Sequence, residues 1–159
     1  MVGLERGTSM KTYSIKEVYL TVRETPTVPV QLEKLAGTYT SSDQIFRAFC
    51  KLNERDVEQF IVLHLDTKNN VRSMQVVSTG TISASLVHPR EVFRAAIING
   101  AAGIIALHNH PSADPEPSIE DTNLTERLKE AGKIIGIKLL DHIIVCQNRY
   151  FSYADAGRI

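Results

Sequence analysis

Two histidines separated by a single residue are the first candidates for chemistry in this sequence. His108 and His110 stand where an apolar run, AGIIALH, meets a proline-rich segment, NHPSADPEP. In an extended chain, residues i and i+2 project from the same face with their Cα atoms ~6.6 Å apart, so both imidazoles can contact one ion. Catalytic zinc is usually held by three protein ligands and keeps a fourth position for water. The pair therefore predicts two ligands of a zinc site.

Asp121 is the best candidate for the third ligand. It falls in the first turn of the helix after the loop, and this helix start can fold back over the strand end, where sites of α/β folds collect. Two structural interpretations fit the same residues. A His-x-His pair can be two loop histidines bonded to backbone, and Ser118 with Asp121 matches a capping box. One Asp121 oxygen can accept from the Ser118 backbone N–H while the other binds metal, so the roles are compatible.

The remaining three histidines are assigned supporting roles. His64 lies in an alternating, strand-like context and His88 precedes Pro89, and we interpret both as structural. His142, beside Asp141, is expected at most to support a metal ligand from behind.

Composition and charge limit the classes of protein to which this sequence can belong. The chain has 159 residues, 43% of them hydrophobic and 23% charged, which predicts one globular domain. Lysine plus arginine and aspartate plus glutamate both number 18, so no net positive charge favours nucleic acid. Cys50 and Cys146 form no CxxC pair and are interpreted as small buried hydrophobic residues. No apolar segment suits a signal peptide or a membrane span, so we expect a cytoplasmic protein without membrane contact.

Strand and helix patterns alternate along the chain. Residues 13–22 predict a strand, which a proline-containing connector follows, and residues 1–9 are expected to be a flexible leader or an upstream start. The later patterns predict, in order, a helix at about 42–53, paired strands over 59–65 and 71–79, and a helix that starts at Pro89 and ends just before Gly100. After these come a strand over 102–108, a loop, a helix from Ser118 that ends near Gly132 or Gly136, and a strand over 137–146 that turns into YFSY. This alternation, with at least one hairpin, predicts an α/β domain with a mixed sheet.

The segment HNHPSADPEPSIED carries a more specific signal. It has the form His-x-His, seven residues, Ser, two residues, Asp, and it resembles the JAMM (JAB/MPN) metalloprotease motif. The flanking text, LVHPREVF before it and LTERLKEAGKIIGIKLLDHIIV after it, resembles the bacterial RadC family from about residue 41 to the end. The resemblance implies a leader, strand and connector over 1–40 and a single JAB/MPN-type domain over 41–159. That domain would have a mixed sheet flanked by helices, in a layered arrangement like that of cytidine deaminases.

The resemblance also implies roles for individual residues. His108, His110 and Asp121 would bind one zinc ion per chain, and Ser118 would help to stabilise the oxyanion. In that family a glutamate at the start of an earlier strand activates the attacking water, and Glu58, which opens EQFIVLHLD, fits this place. Two other glutamates, Glu54 and Glu91, are less well placed alternatives for this role. A solvated helix residue is the structural interpretation for all three glutamates.

Two departures from the family pattern change the expectations. Ala113 stands where RadC relatives typically carry glycine, so a backbone with positive φ is expected to be lost or shifted there. Longer RadC proteins also carry an N-terminal helix-hairpin-helix module, and residues 1–40 are too few and too strand-like to form it. This weakens any association with DNA.

Three functions compete for this sequence. The leading hypothesis is zinc-dependent hydrolysis of a peptide or isopeptide amide bond in a peptide or protein substrate. The alternative is a DNA-repair-associated or protein-interaction module with a structural or vestigial metal site. Nucleobase deamination is excluded because the chain has no PCxxC segment. The patterns do not decide the oligomeric state.

Overall fold

A single sheet with helices on both faces builds the described part of the chain. The computed structural model describes residues 38–54, 56–80 and 87–159. The elements are α1 (Ser42–Phe49), a 3-10 helix (Cys50–Glu54), β1 (Gln59–Leu65), β2 (Val71–Thr79), α2 (Pro89–Ile98), β3 (Gly103–Asn109), α3 (Ile119–Ile135), β4 (Lys138–Val145) and β5 (Tyr150–Ser152). The strand expected over residues 13–22 and the leader over residues 1–9 lie outside the described residues.

The strands form one five-stranded sheet in the order β2-β1-β3-β4-β5. β3 and β4 run parallel, and the other neighbouring pairs are antiparallel. This confirms the predicted α/β domain with a mixed sheet, including the hairpin of β1 and β2. The central strands β1 and β3 are buried along their whole length, which explains why they read as continuous apolar runs rather than alternating ones.

Apolar side chains fill both faces of the sheet. One cluster joins α1 to one face, with Ile45 and Phe49 packed on Leu63 and Leu107. The second joins α2 and α3 to the opposite face, where Phe93, Leu124 and Leu128 cover the other side chains of β1 and β3. Successive residues of a strand alternate between faces. The face covered by α2 and α3 is the one that carries the site.

The ends of α3 are set by local sequence. Ser118 caps the first turn, as predicted, and Gly136 ends the helix with φ of 83°, a left-handed conformation that glycine adopts without a steric penalty. Gly132 lies within the last turn, where an added Cβ would meet the backbone oxygen of Ile137 at 2.5 Å. The helix thus stops where the chain must turn directly into β4.

Two expectations near α1 are corrected. The helix predicted over 42–53 is α-helical only to Phe49 and continues as a 3-10 helix through Glu54. Cys50 is partly exposed rather than buried, because it lies one residue, or about 100° of rotation, past the buried stripe that includes Phe49. Cys146, in contrast, is buried as expected. Among the described residues, none of the helices combines the length and the apolar composition of a membrane span.

Candidate metal centre

The end of β3 places His108 inside the protein. The side chain is 1% exposed and stacks on Phe60 of β1, with ring centroids 6.0 Å apart and planes 17° from parallel. Phe60 is also the residue that pairs with His108 across the two antiparallel strands. The packing leaves the Nε2 edge of the imidazole facing the carboxylate of Asp121 at the start of α3.

His110 lies two residues farther on, at the start of the loop. Its Nδ1 is 2.8 Å from the backbone oxygen of Asp114, which can only accept, so Nδ1 carries the proton and donates. In the neutral ring, Nε2 is then left with its lone pair. Nε2 lies 3.0 Å from Nε2 of His108, so the two histidines present equivalent nitrogens to one point.

The loop between the histidines and α3 corrects the expectation at Ala113. This alanine has φ of 61°, so the positive φ is kept although glycine is absent. Hydrogen bonds hold both the N–H and the carbonyl group of Ala113. Its N–H donates to the His110 backbone oxygen at 3.0 Å, and the Arg149 side chain donates to its carbonyl oxygen at 3.1 Å. A left-handed alanine costs roughly 1–2 kcal/mol, which these contacts offset.

Asp121 closes the group from the first turn of α3. Its Oδ1 lies 3.2 Å from Nε2 of His108 and its Oδ2 lies 3.4 Å from Nε2 of His110. Oδ2 also accepts from the Ser118 backbone N–H at 2.9 Å and from the Ser118 hydroxyl at 2.6 Å. One candidate ligand atom from each of the three residues lies within 4.8 Å of the others, so the group could hold a metal ion.

The electrostatics of the group favour a cation. Burial alone would raise the pKa of Asp121, but hydrogen bonds from the rings of His108 and His110 in their protonated forms, and from Ser118, outweigh it and hold that pKa well below its usual range. Burial would lower the pKa of His110, whereas the hydrogen bonds to Asp121 and Asp114 and the charge of Asp121 raise it overall. Acceptor atoms that converge in a partly dry site repel one another unless a proton or a metal ion lies between them.

A cavity of about 340 Å³ opens onto the three candidate ligands. Glu58 and Ser118 line it, so the structure brings together every residue that the sequence proposed for the site. The alternative glutamates do not line it: Glu54 is exposed, and Glu91 forms ion pairs on the surface of α2. Ser112 and Glu120 also line the cavity, and sequence reasoning did not single them out.

Asn109 is the most informative residue that sequence reasoning missed. It lies between the two histidines and is fully buried. Its Oδ1 accepts from the Gln59 backbone N–H at 2.8 Å, and its Nδ2 donates to the Val57 backbone oxygen at 3.1 Å. Buried amides are nearly always hydrogen-bonded, so an asparagine inside a buried strand signals a specific partner without identifying it.

The other three histidines lie outside the group of candidate ligands, as the sequence indicated. His142 is fully buried behind His108, with its Nε2 3.0 Å from Nδ1 of His108. His64 is buried on β1 against Ser73, and His88 precedes the first residue of α2. Neither His64 nor His88 belongs to the group that could hold a metal.

Together these features define an α/β domain with a candidate single-metal site at the end of a parallel strand pair. A family model described as "RadC-like JAB domain" matches residues 39–158. The chain therefore belongs to the RadC-like JAB domain family, and the resemblance drawn from the sequence is confirmed.

Many relatives support the assignment. A UPF0758 protein of Methanosarcina mazei is 52% identical over 107 residues, which cover 67% of this chain and 47% of the relative. A UPF0758 protein of Desulforamulus reducens is 52% identical over 108 residues (68% and 48%), and one of Thermotoga maritima is 43% identical over 129 residues (81% and 58%). The chain spans about half the length of the curated relatives it matches. Their names state no activity.

Proposed function

We propose that this domain is a zinc-dependent hydrolase that cleaves a peptide or isopeptide amide bond in a peptide or protein substrate. The observation that carries the proposal is the convergence of His108, His110 and Asp121 on one point at the wall of an open cavity. Two imidazole nitrogens and one carboxylate oxygen suit zinc better than magnesium, which prefers oxygen ligands. Bound zinc would supply a Lewis acid for the scissile carbonyl and would lower the pKa of a coordinated water toward ~7.

Glu58 is the proposed general base. It lines the same cavity as the two histidines, and its charge contributes to raising the pKa of His110, which places it within electrostatic reach of the group. A carboxylate there can accept the proton of the attacking water and pass it to the leaving amine. The backbone on both sides of Glu58 is held by Asn109, so the carboxylate starts from a fixed segment.

Ser118 is the proposed oxyanion donor. Its hydroxyl now donates to Oδ2 of Asp121 at 2.6 Å, so donation to a substrate oxygen requires the hydroxyl to rotate. The side chain lines the cavity, which leaves space for that rotation. The Ser118 backbone N–H donates to Oδ2 of Asp121 whether or not the hydroxyl has rotated, so this oxygen keeps one of its donors.

The hydrolase proposal is tested by a cleavage screen with the zinc-loaded chain. The screen uses peptide libraries and isopeptide-linked conjugates, followed by comparison of variants on the best substrate. Glu58→Gln keeps size and hydrogen bonding but removes the basic oxygen, so it should retain zinc and lose roughly 10²- to 10⁴-fold in kcat. Glu54→Gln and Glu91→Gln are matched controls outside the cavity and should cleave like the wild type.

One outcome would overturn the role of Glu58, and another would overturn the hydrolase proposal itself. Equal cleavage by wild type and Glu58→Gln would remove Glu58 from the base role. Stoichiometric zinc without cleavage of any amide in the screen would instead favour the alternative of an interaction or DNA-repair-associated module with a structural metal.

A further inference from the structure

A chain of buried hydrogen bonds runs behind His108, on the side away from the cavity. Nδ1 of His108 lies 3.0 Å from Nε2 of His142, and Nδ1 of His142 lies 2.6 Å from the hydroxyl of Thr125. The Thr125 hydroxyl lies 2.6 Å from the backbone oxygen of Asp121. The chain thus begins at one candidate ligand and ends on the backbone of another.

The direction of every bond in this chain follows from its last member. A backbone carbonyl can only accept, so the single hydroxyl proton of Thr125 goes to Asp121. Thr125 must then accept from Nδ1 of His142, so His142 carries its proton on Nδ1. In the neutral ring, Nε2 of His142 is left as an acceptor, and Nδ1 of His108 must be the donor.

We infer that Thr125 and His142 are positioning residues that fix the proton of His108 on Nδ1 and so leave its Nε2 lone pair for the metal. The inference rests on the proposed metal site. Asp121 takes part twice, since its side chain is a candidate ligand and its backbone oxygen sets the proton order that prepares His108. Partners behind ligating histidines orient the ring and increase its basicity in this way.

Packing prevents the hydrogen bonds behind His108 from reversing their donor and acceptor roles, because the side chains can neither rotate nor exchange protons with solvent. His142 is 0% exposed and Thr125 is 1% exposed. The His142 ring lies against Tyr153, with centroids 5.2 Å apart and planes 7° from parallel, and against Phe60 at 5.5 Å. A ring flip of His142 would turn carbon atoms toward both Thr125 and His108. The proton order is therefore a property of the folded core rather than of the bound metal.

The first test reads the proton positions directly. Long-range proton–nitrogen NMR of the isotopically labelled, metal-free chain distinguishes protonated from bare ring nitrogens. We expect a protonated Nδ1 on both His108 and His142 and a bare Nε2 on His142. Thr125→Val should convert His142 partly to the other tautomer, and Thr125→Ser should restore the wild-type pattern. A bare Nδ1 on His142 in the wild type would overturn the inference, as would a pattern that Thr125→Val leaves unchanged.

The second test measures zinc affinity by chelator competition. Thr125→Val and His142→Phe should weaken zinc binding roughly 10- to 100-fold, the usual cost of losing such a partner. His142→Gln keeps an acceptor for His108 and should lie much closer to the wild type. Thr122→Val is the matched control, because its hydroxyl also donates to a carbonyl one turn back, and it contacts the Tyr153 hydroxyl but neither His142 nor His108. Equal affinities across all variants that fold would contradict the inference.

The two tests separate this inference from the proposed function. The proton positions are read without zinc or substrate, and zinc affinity is read without hydrolysis. Failure to find a substrate would therefore leave the inference standing. Conversely, a wrong proton order would not remove the three candidate ligands from the cavity.

Discussion

The side-chain amide of Asn109 hydrogen-bonds to the backbone on both sides of Glu58. It accepts from the Gln59 N–H at 2.8 Å and donates to the Val57 oxygen at 3.1 Å. Because Asn109 stands between the two histidines in sequence, one short segment of β3 fixes both the proposed ligands and the segment that carries the proposed base. Two hydrogen bonds thus fix the segment that carries Glu58 relative to the candidate ligands.

Removal of this amide should affect turnover more than metal binding. Asn109→Ala leaves the buried Gln59 N–H and the Val57 oxygen without their partner, so it should cost about 1–3 kcal/mol of unfolding free energy. Zinc content should stay at the wild-type level, while kcat falls at least about tenfold because Glu58 is no longer held. Elemental analysis, chemical denaturation and single-substrate kinetics check the three parts. A variant with normal kcat would show that Asn109 serves stability alone.

Ser118 should have two separable roles, because it caps α3 and faces the cavity. Ser118→Ala removes an acceptor for the Asp121 N–H, now at 3.0 Å, and should lower stability by ~1 kcal/mol. It also removes the proposed oxyanion donor, which should lower kcat by roughly 10²-fold or more without loss of zinc.

Ser41→Ala is the matched control for the cap. Ser41 caps α1 through the Gln44 N–H and does not line the cavity, so its loss should lower stability without changing kcat. If Ser118→Ala loses stability and keeps full turnover, Ser118 is a cap only.

His64 should make the fold sensitive to mild acid. Burial lowers the pKa of His64 to about 4, and its Nε2 has no hydrogen-bond partner among the residues that the structure describes. Between pH 6.5 and pH 4 the unfolded chain binds a proton at this residue and the folded chain does not, so stability falls as the pH falls through this window. The contribution is about 3 kcal/mol between pH 7 and pH 4.

The measurement is the difference in unfolding free energy between wild type and His64→Leu across this pH range. Taking the difference cancels the contributions of other titrating groups. As the pH falls from 7 to 4, the wild type should lose most of the ~3 kcal/mol of unfolding free energy relative to His64→Leu. His88→Leu controls for the loss of an imidazole outside the core. A pH-independent difference for His64→Leu would show that the residue does not stay neutral in the folded protein.

The sequence predicted the elements and the candidate ligands because their signals are local. The spacing of His108 and His110, the capping pair of Ser118 and Asp121, and the apolar run of β3 are all visible within a few residues. Glycines and prolines at the helix ends marked the boundaries of α2 and α3. The 3-10 turn after Phe49 was missed because the apolar spacing continues through it.

The sequence suggested His142 as a support for a metal ligand, but the partners of the supporting residues could not be predicted, because they depend on register between distant strands. His142 reaches His108 because β4 pairs with β3 in parallel, with a register shift that places Asp141 opposite Ile105. A slip of one residue would turn His142 to the other face of the sheet. The positive φ of Ala113 likewise could not be predicted, because alanine does not favour this conformation. Hydrogen bonds with Arg149 and His110 hold the backbone there.

The central claim is tested most directly by the zinc content of the untagged chain after refolding with zinc and removal of loosely bound metal. We expect one zinc ion per chain in the wild type and in His88→Ala, and none in His110→Ala, since His110 supplies one of the three ligands that converge on the cavity. A folded wild-type chain without stoichiometric zinc, or a His110→Ala chain that binds zinc as well as the wild type, would contradict it.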